Sequence, residues 1–179
     1  MQAPKPLDKP TDRTVFQNAW VVDDLEAACT AWARDLGVGP FFIADYPEGT
    51  FQDVTYRGKP ADLSMRVALA QAGPVQIELI QPITSPSAYR DVFPTGQSGF
   101  HHLCVWSHDF AADRQYFEAL NYPAVNTGRA GDLHFAYFDT RPLLGAMLEI
   151  VTWSADIEAR FAAIAAAAED WDGTEPLRR

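Results

Sequence analysis

The sequence predicts an α+β fold made of two βαβββ modules followed by a C-terminal helix, and three observations carry that expectation. One skeleton occurs twice, as Gln17-Asn18-Ala19-Trp20-Val21-Val22-Asp23-Asp24-Leu25 and as His102-Leu103-Cys104-Val105-Trp106-Ser107-His108-Asp109-Phe110. Seven positions separate the leading polar residue from the aspartate in each copy. Each copy runs into a helical stretch and closes on an apolar strand carrying one glutamate, Glu78 in the first and Glu149 in the second. A proline-containing connection lies between the copies. The chain thus divides into a flexible arm (1–14), a first module (15–82), a connection (83–98), a second module (99–152) and a helix with its tail (153–179).

The elements come in this order. Val15 to Val22 is short and β-rich, which predicts a strand. Asp23 and Asp24 offer an N-cap, and Leu25, Cys29, Trp32 and Leu36 recur at helical spacing. Gly37, Gly39 and Pro40 end that helix. Extended segments are expected at Phe41 to Tyr46, Leu63 to Ala70 and Val75 to Gln81, the last two joined by a turn at Ala72-Gly73-Pro74. The segment from Glu48 to Pro60 fits either a further strand or a loop. In the second copy a strand from Phe100 to Ser107 precedes a helix capped by Asp109 and running to Leu120, where Asn121-Tyr122-Pro123 stops it. Extended segments then fall at Ala124 to Gly128, Leu133 to Asp139 and Gly145 to Val151. The last helix covers Ala155 to Ala168, with a stripe of Ile157, Phe161 and Ile164 that needs a surface to pack on; the tail from Trp171 reads as irregular.

Size and charge narrow the function classes. A chain of 179 residues can bury a sizeable core. Its net charge of −10 opposes nucleic acid and anionic membrane surfaces, so neither is an expected partner. No apolar run approaches a transmembrane length, and the N-terminus has no apolar secretory region. Two cysteines, Cys29 and Cys104, form no disulfide framework, which fits a reducing cytoplasm. No dinucleotide fingerprint, phosphate loop, nucleophile elbow or zinc-protease motif occurs.

Face alternation sharpens the duplicated pattern. Phe16, Trp20 and Val22 share one face of the first strand, and Gln17, Ala19 and Val21 share the other. His102, Cys104 and Trp106 face away from His101, Leu103 and Val105, while Glu78 and Glu149 oppose Ile77, Leu79, Leu148 and Ile150. In each strand the polar residue faces away from the surface suited to a helix. A carboxylate on an inner face is costly unless it is paired or metal-bound. Gln17, Glu78, His102 and Glu149 are therefore the candidate ligands of one divalent cation, with Mg²⁺, Mn²⁺, Co²⁺, Ni²⁺ and Zn²⁺ all compatible with such a shell. Arg66, Trp106 and Tyr137 are candidates to line a substrate cavity, and Tyr56 and His134 lie on strands that reach it in some registers. His101 reads as a structural histidine, His108 as exposed beside a cap, and Cys29 as helix packing.

The motifs Gln17-x₆-Asp24-Leu25, Leu36-Gly37-Val38-Gly39-Pro40-Phe41, Gly99-Phe100-His101-His102 and the Glu149 strand resemble the vicinal oxygen chelate superfamily over residues 15–152. That family includes glyoxalase I, methylmalonyl-CoA epimerase, extradiol dioxygenases and bleomycin-resistance proteins. The resemblance implies paired modules whose curled mixed sheets enclose a metal or ligand cavity, with Gln17, Glu78, His102 and Glu149 at the ligand positions. It implies a metal-dependent isomerase, epimerase or lyase that stabilises an enolate-type intermediate of a small carbonyl or carboxyl substrate, with Glu149 as both ligand and base. Gln17 stands where an iron dioxygenase needs a histidine. The epimerase places a glutamate on the third strand of its first module, and Leu63 to Leu69 has none. Glyoxalase I needs cations for glutathione; Arg57, Lys59, Arg66 and Arg141 are available, without a glutathione-specific pattern. A non-catalytic sequestering protein of the same fold is the second reading. Both halves of the site lie in one chain, so a monomer suffices, and the resemblance also allows a homodimer.

Overall fold

The computed structural model describes residues 14–179. Apart from Thr14, the arm expected over 1–14 lies outside the described residues. In the first module, β1 (Val15–Val21) leads to α1 (Leu25–Leu36), β2 (Phe41–Tyr46), the short hairpin β3 (Gln52–Tyr56) and β4 (Lys59–Pro60), then β5 (Met65–Ala72) and β6 (Val75–Pro82). After α2 (Ala88–Val92) come β7 (Gly99–Ser107), α3 (Phe110–Ala119), β8 (Ala124–Ala130), β9 (Leu133–Phe138), α4 (Arg141–Leu144) and β10 (Met147–Thr152). The helix α5 (Ala155–Glu169) and the two-residue β11 (Leu177–Arg178) complete the chain.

The helices form where local chemistry allows. Asp24 accepts from the Ala27 N–H at 3.0 Å and Asp109 from the Ala112 N–H at 3.0 Å, so both duplicated aspartates are N-caps. Gly37, at φ 67°, closes α1 with its N–H on the Ala33 carbonyl. Leu25 and Cys29 of α1 are buried with Ala68, Ala70, Ile77 and Leu79 on the outer face of the first module. Phe117 of α3 packs in the same way on Val105, Phe138, Leu148 and Ile150.

All strands join one mixed sheet in the order β11-β2-β5-β6-β1-β7-β10-β9-β8-β3-β4. The modules meet edge to edge: β1 pairs in parallel with β6 and antiparallel with β7, and β7 pairs in parallel with β10. The sheet curls until residues of β5 and β9 line opposite parts of one cavity, and the core on this inner face draws on both modules.

The undecided segment 48–60 proves to be the β3–β4 hairpin, and it leaves its own module. β3 pairs with β8, the outer strand of the second. Gly128 on β8 permits that approach, since a Cβ there would sit 2.6 Å from the Phe135 ring and 3.3 Å from Val54. The connection also contains the unforeseen α2, whose Tyr89 is buried, and the tail is not wholly irregular, because β11 pairs with β2. On α5, Ile157, Phe161 and Ile164 pack against the inner core, which supplies the surface their spacing demanded. Among the described residues, no helix is long and apolar enough to cross a membrane.

Candidate metal centre

Four adjacent central strands carry the candidate ligands. Glu78 lies on β6, Gln17 on β1, His102 on β7 and Glu149 on β10. Ala19 sits between two of them, paired in register with Glu78 on one side and His102 on the other. Its methyl group leaves room for the longer side chains to converge. Ligand atoms of Glu78, His102 and Glu149 all lie within 4.8 Å of one another. His102 is fully buried, and Gln17 and Glu149 nearly so.

Hydrogen bonds fix the orientation of these groups. The Gln17 amide nitrogen donates to Gln76 Oε1 at 2.7 Å, which leaves the Gln17 carbonyl oxygen as its uncommitted atom in the cavity wall. His101 Nε2 lies 3.1 Å from the Ala88 carbonyl, which can only accept, so that nitrogen carries the proton. Burial, reinforced by the neighbouring His102, pushes His101 down to about 3, so its Nδ1 is bare at neutral pH. That Nδ1 lies 2.9 Å from His102 Nδ1, which must therefore donate. His102 Nε2 is left to face the two carboxylates.

A bare nitrogen there would set its lone pair against two anions, so the position calls for a proton or a cation. Burial opposes charge on His102, yet Glu149 and Glu78 outweigh it and raise the imidazole to about 9. A proton is poorly served by the geometry. His102 Nε2 is 3.1 Å from Glu149 Oε2 and 3.4 Å from Glu78 Oε2, close enough for ion pairing. Even so, neither His102 Nε2 nor Glu78 Oε2 makes a directed hydrogen bond with a described residue. Buried donor atoms of this kind, two carboxylates and an imidazole with an amide oxygen alongside, fit a divalent cation, which binds without needing a proton's directionality. Burial also pushes Glu78 up and keeps the Cys104 thiol and the Tyr89 and Tyr137 phenols protonated at neutral pH.

Gln17, Glu78 and Glu149 border a cavity of about 320 Å³, within the range of small-molecule sites. Gln17, Glu78, Cys104, Tyr137 and Glu149 contribute to its polar side, and Phe16, Phe51, Met65, Leu69, Phe135 and Phe161 to its apolar wall. Tyr137 is thus at the cavity, its hydroxyl 2.8 Å from that of Tyr89.

Two expected cavity residues lie elsewhere. Arg66 is on the opposite face of β5 from Met65, Val67 and Leu69, bound to Glu26 and 2.8 Å from Asp45. Trp106 backs the wall instead of forming it, stacked 3.8 Å from Phe16 and 5.7 Å from Phe161. Tyr56 donates to Asp91 at 2.7 Å, and His134 packs on Phe110. Gln76, Tyr89 and His101, which orient the site, were not singled out for it. The polar Gln76 two residues before Glu78 is the only sequence signal that could have pointed to one of them.

Several solved structures share this fold. A hypothetical protein from Bacillus halodurans aligns with TM-score 0.54 and 14% identity over 80% of this chain and 96% of its own. Methylmalonyl-CoA epimerase from Mycobacterium tuberculosis aligns with TM-score 0.55 and 16% identity over 86% and 97%. A Streptomyces coelicolor methylmalonyl-CoA epimerase variant in complex with 2-nitronate-propionyl-CoA aligns with TM-score 0.50 and 15% identity over 81% and 97%. At such identities the likeness is one of fold. A comparison with curated proteins finds no match. Residues 16–138, well over half of the chain, match the family described as Glyoxalase/Bleomycin resistance protein/Dioxygenase superfamily, and the protein belongs to that superfamily.

Proposed function

We propose that the protein is a metal-dependent isomerase, epimerase or lyase that moves a proton at the carbon beside a carbonyl of a small substrate. The carrying observation is the convergence of Glu78, His102 and Glu149 within 4.8 Å of one another beside a largely apolar cavity, with Gln17, Glu78 and Glu149 in its wall. A divalent cation held by these four residues would supply a Lewis acid for the substrate oxygen. Glu149 acts as the base, taking the proton from carbon and returning it to the same or the neighbouring carbon, so no oxidant or reductant is required. His101 holds His102 in one tautomer, and Gln76 holds the Gln17 amide. The surrounding aromatic walls exclude water from the charge that develops.

The cavity face of β5 offers Met65, Val67 and Leu69, with no carboxylate. A base drawn from that strand is therefore absent, and methylmalonyl-CoA is not the substrate we assign.

Two measurements test this reading. Protein purified without added metal should contain a divalent ion or bind added Mn²⁺, Co²⁺, Ni²⁺ or Zn²⁺; failure of both removes the enzyme assignment. Exchange of the phenylpyruvate α-protons in ²H₂O, followed by NMR, should be accelerated by the loaded protein and lost in Glu149→Gln. Undiminished exchange in that variant would remove Glu149 as the base.

A further inference from the structure

The charges in the cavity wall are segregated. Glu149 is buried and Glu78 partly so, whereas Arg160 is exposed and is, among the described residues, the one cationic residue lining it. Arg160 comes from α5, beyond residues 16–138 that match the family, and is the only cation of that helix. Its neighbours Ile157 and Phe161 line the cavity too, so α5 forms part of the wall.

Arg160 has an obvious alternative partner that it does not use. Asp156 lies four residues earlier on the same helix, the spacing at which such pairs form on exposed faces. Among the described residues, no carboxylate pairs with Arg160, whereas eight other arginines do find one. Its side chain lies instead where the main cavity adjoins a second one of about 280 Å³, the two sharing Tyr46, Val67, Leu69 and Arg160. Arg179 also borders the second cavity, but Glu26 and Asp45 already lie 3.6 and 3.5 Å from it.

We propose that Arg160 is a specificity residue that receives an anionic group at the far end of the substrate, whose body is apolar and suits aromatic walls. This rests on the proposed function for the orientation of the substrate, with its carbonyl toward Glu78, His102 and Glu149. The substrate is then an aryl or similarly apolar carbonyl compound with a distal carboxylate or comparable anion. Its two polar ends are held at a buried and an exposed part of one cavity wall, which fixes direction as well as affinity. A guanidinium suits this task because its planar fork meets a carboxylate with two hydrogen bonds.

The test compares phenylpyruvate with three analogues carrying a para carboxylate on the ring, attached directly or through one or two methylenes. Each is titrated by calorimetry into the full chain, with and without Mn²⁺. At least one analogue should bind about tenfold more tightly than phenylpyruvate. That ratio should fall to near one in Arg160→Gln and persist in Arg114→Gln, which alters an arginine on α3 paired with Glu118. Circular dichroism checks that the variants are folded. Equal affinities across the series, no binding by any member, or a ratio that survives Arg160→Gln would overturn the inference. Binding is read without turnover, so the two readings fail separately. Missing proton exchange with the ratio intact would discard only the reaction, and exchange with a ratio near one would discard only the role of Arg160.

Discussion

Because the Ala88 carbonyl can only accept, the proton on His101 Nε2 is fixed, and with it the tautomer of His102. His101→Phe keeps a buried ring but removes the acceptor for His102 Nδ1. It should weaken Zn²⁺ or Mn²⁺ binding by about 10–100-fold while leaving the protein folded, as read by calorimetry. In wild type, ¹⁵N shifts of His102 should report a protonated Nδ1, and the variant should lose that preference. Arg66 gives a prediction of a different kind. Its hydrogen bonds hold the Glu26 carboxyl below its ordinary range, so the pair stabilises the fold above pH 4.5 and loses that contribution as the pH falls through the lower folded value. Both side chains are partly exposed, which limits the effect of Arg66→Ala to about 1 kcal/mol at pH 7, fading in urea titrations as the pH falls below the ordinary carboxylate range. The four candidate ligands were legible because the same polar spacing recurs in both copies and a period of two puts each on the face away from its helix. Arg66 was not, since β5 is apolar on both faces, with Ala68 and Ala70 under α1 and Val67 and Leu69 toward the cavity. Alternation by itself gives no sign of which face is inward in such a strand.

At the scale of elements, α5 was visible as an apolar stripe, but its docking surface was not, because nothing local to residues 155–169 names a partner. Ile164 is 5% exposed within the inner core. Ile164→Ala should therefore destabilise the protein by about 2–5 kcal/mol, measured by urea denaturation, if α5 is part of the cooperative fold. An unchanged midpoint would make α5 a detachable appendage. The caps, strands and turn of each module lay close to where pattern and turn chemistry put them. The β3–β4 hairpin is different in kind. Its pairing partner β8 is about seventy residues away in the chain, as the Thr55–Thr127 pair shows, and no local periodicity encodes a partner at that range. The helix α2 leaves no sequence pattern for a simpler reason: five residues are too few to display a helical period.

In the whole molecule the candidate centre draws Glu78 from one module and His102 and Glu149 from the other, so a bound cation would cross-link them. A divalent ion at a hundred times its Kd should stabilise the fold by about 2.7 kcal/mol and raise Tm by about 5–10 °C, seen by differential scanning calorimetry. Glu149→Gln should remove most of that shift. Both ends of the long sheet finish in two-residue strands, β11 and β4, which offer little edge for another chain to extend. The four candidate ligands all belong to one copy of the chain. The excursion of the β3–β4 hairpin adds a further tie, since a piece of the first module completes the outer edge of the second. A protease that nicks the exposed stretch from Pro94 to Ser98 would therefore cut the chain without parting it. The two fragments should migrate together on a sizing column, like the halves of a split reporter, and separate only once denatured.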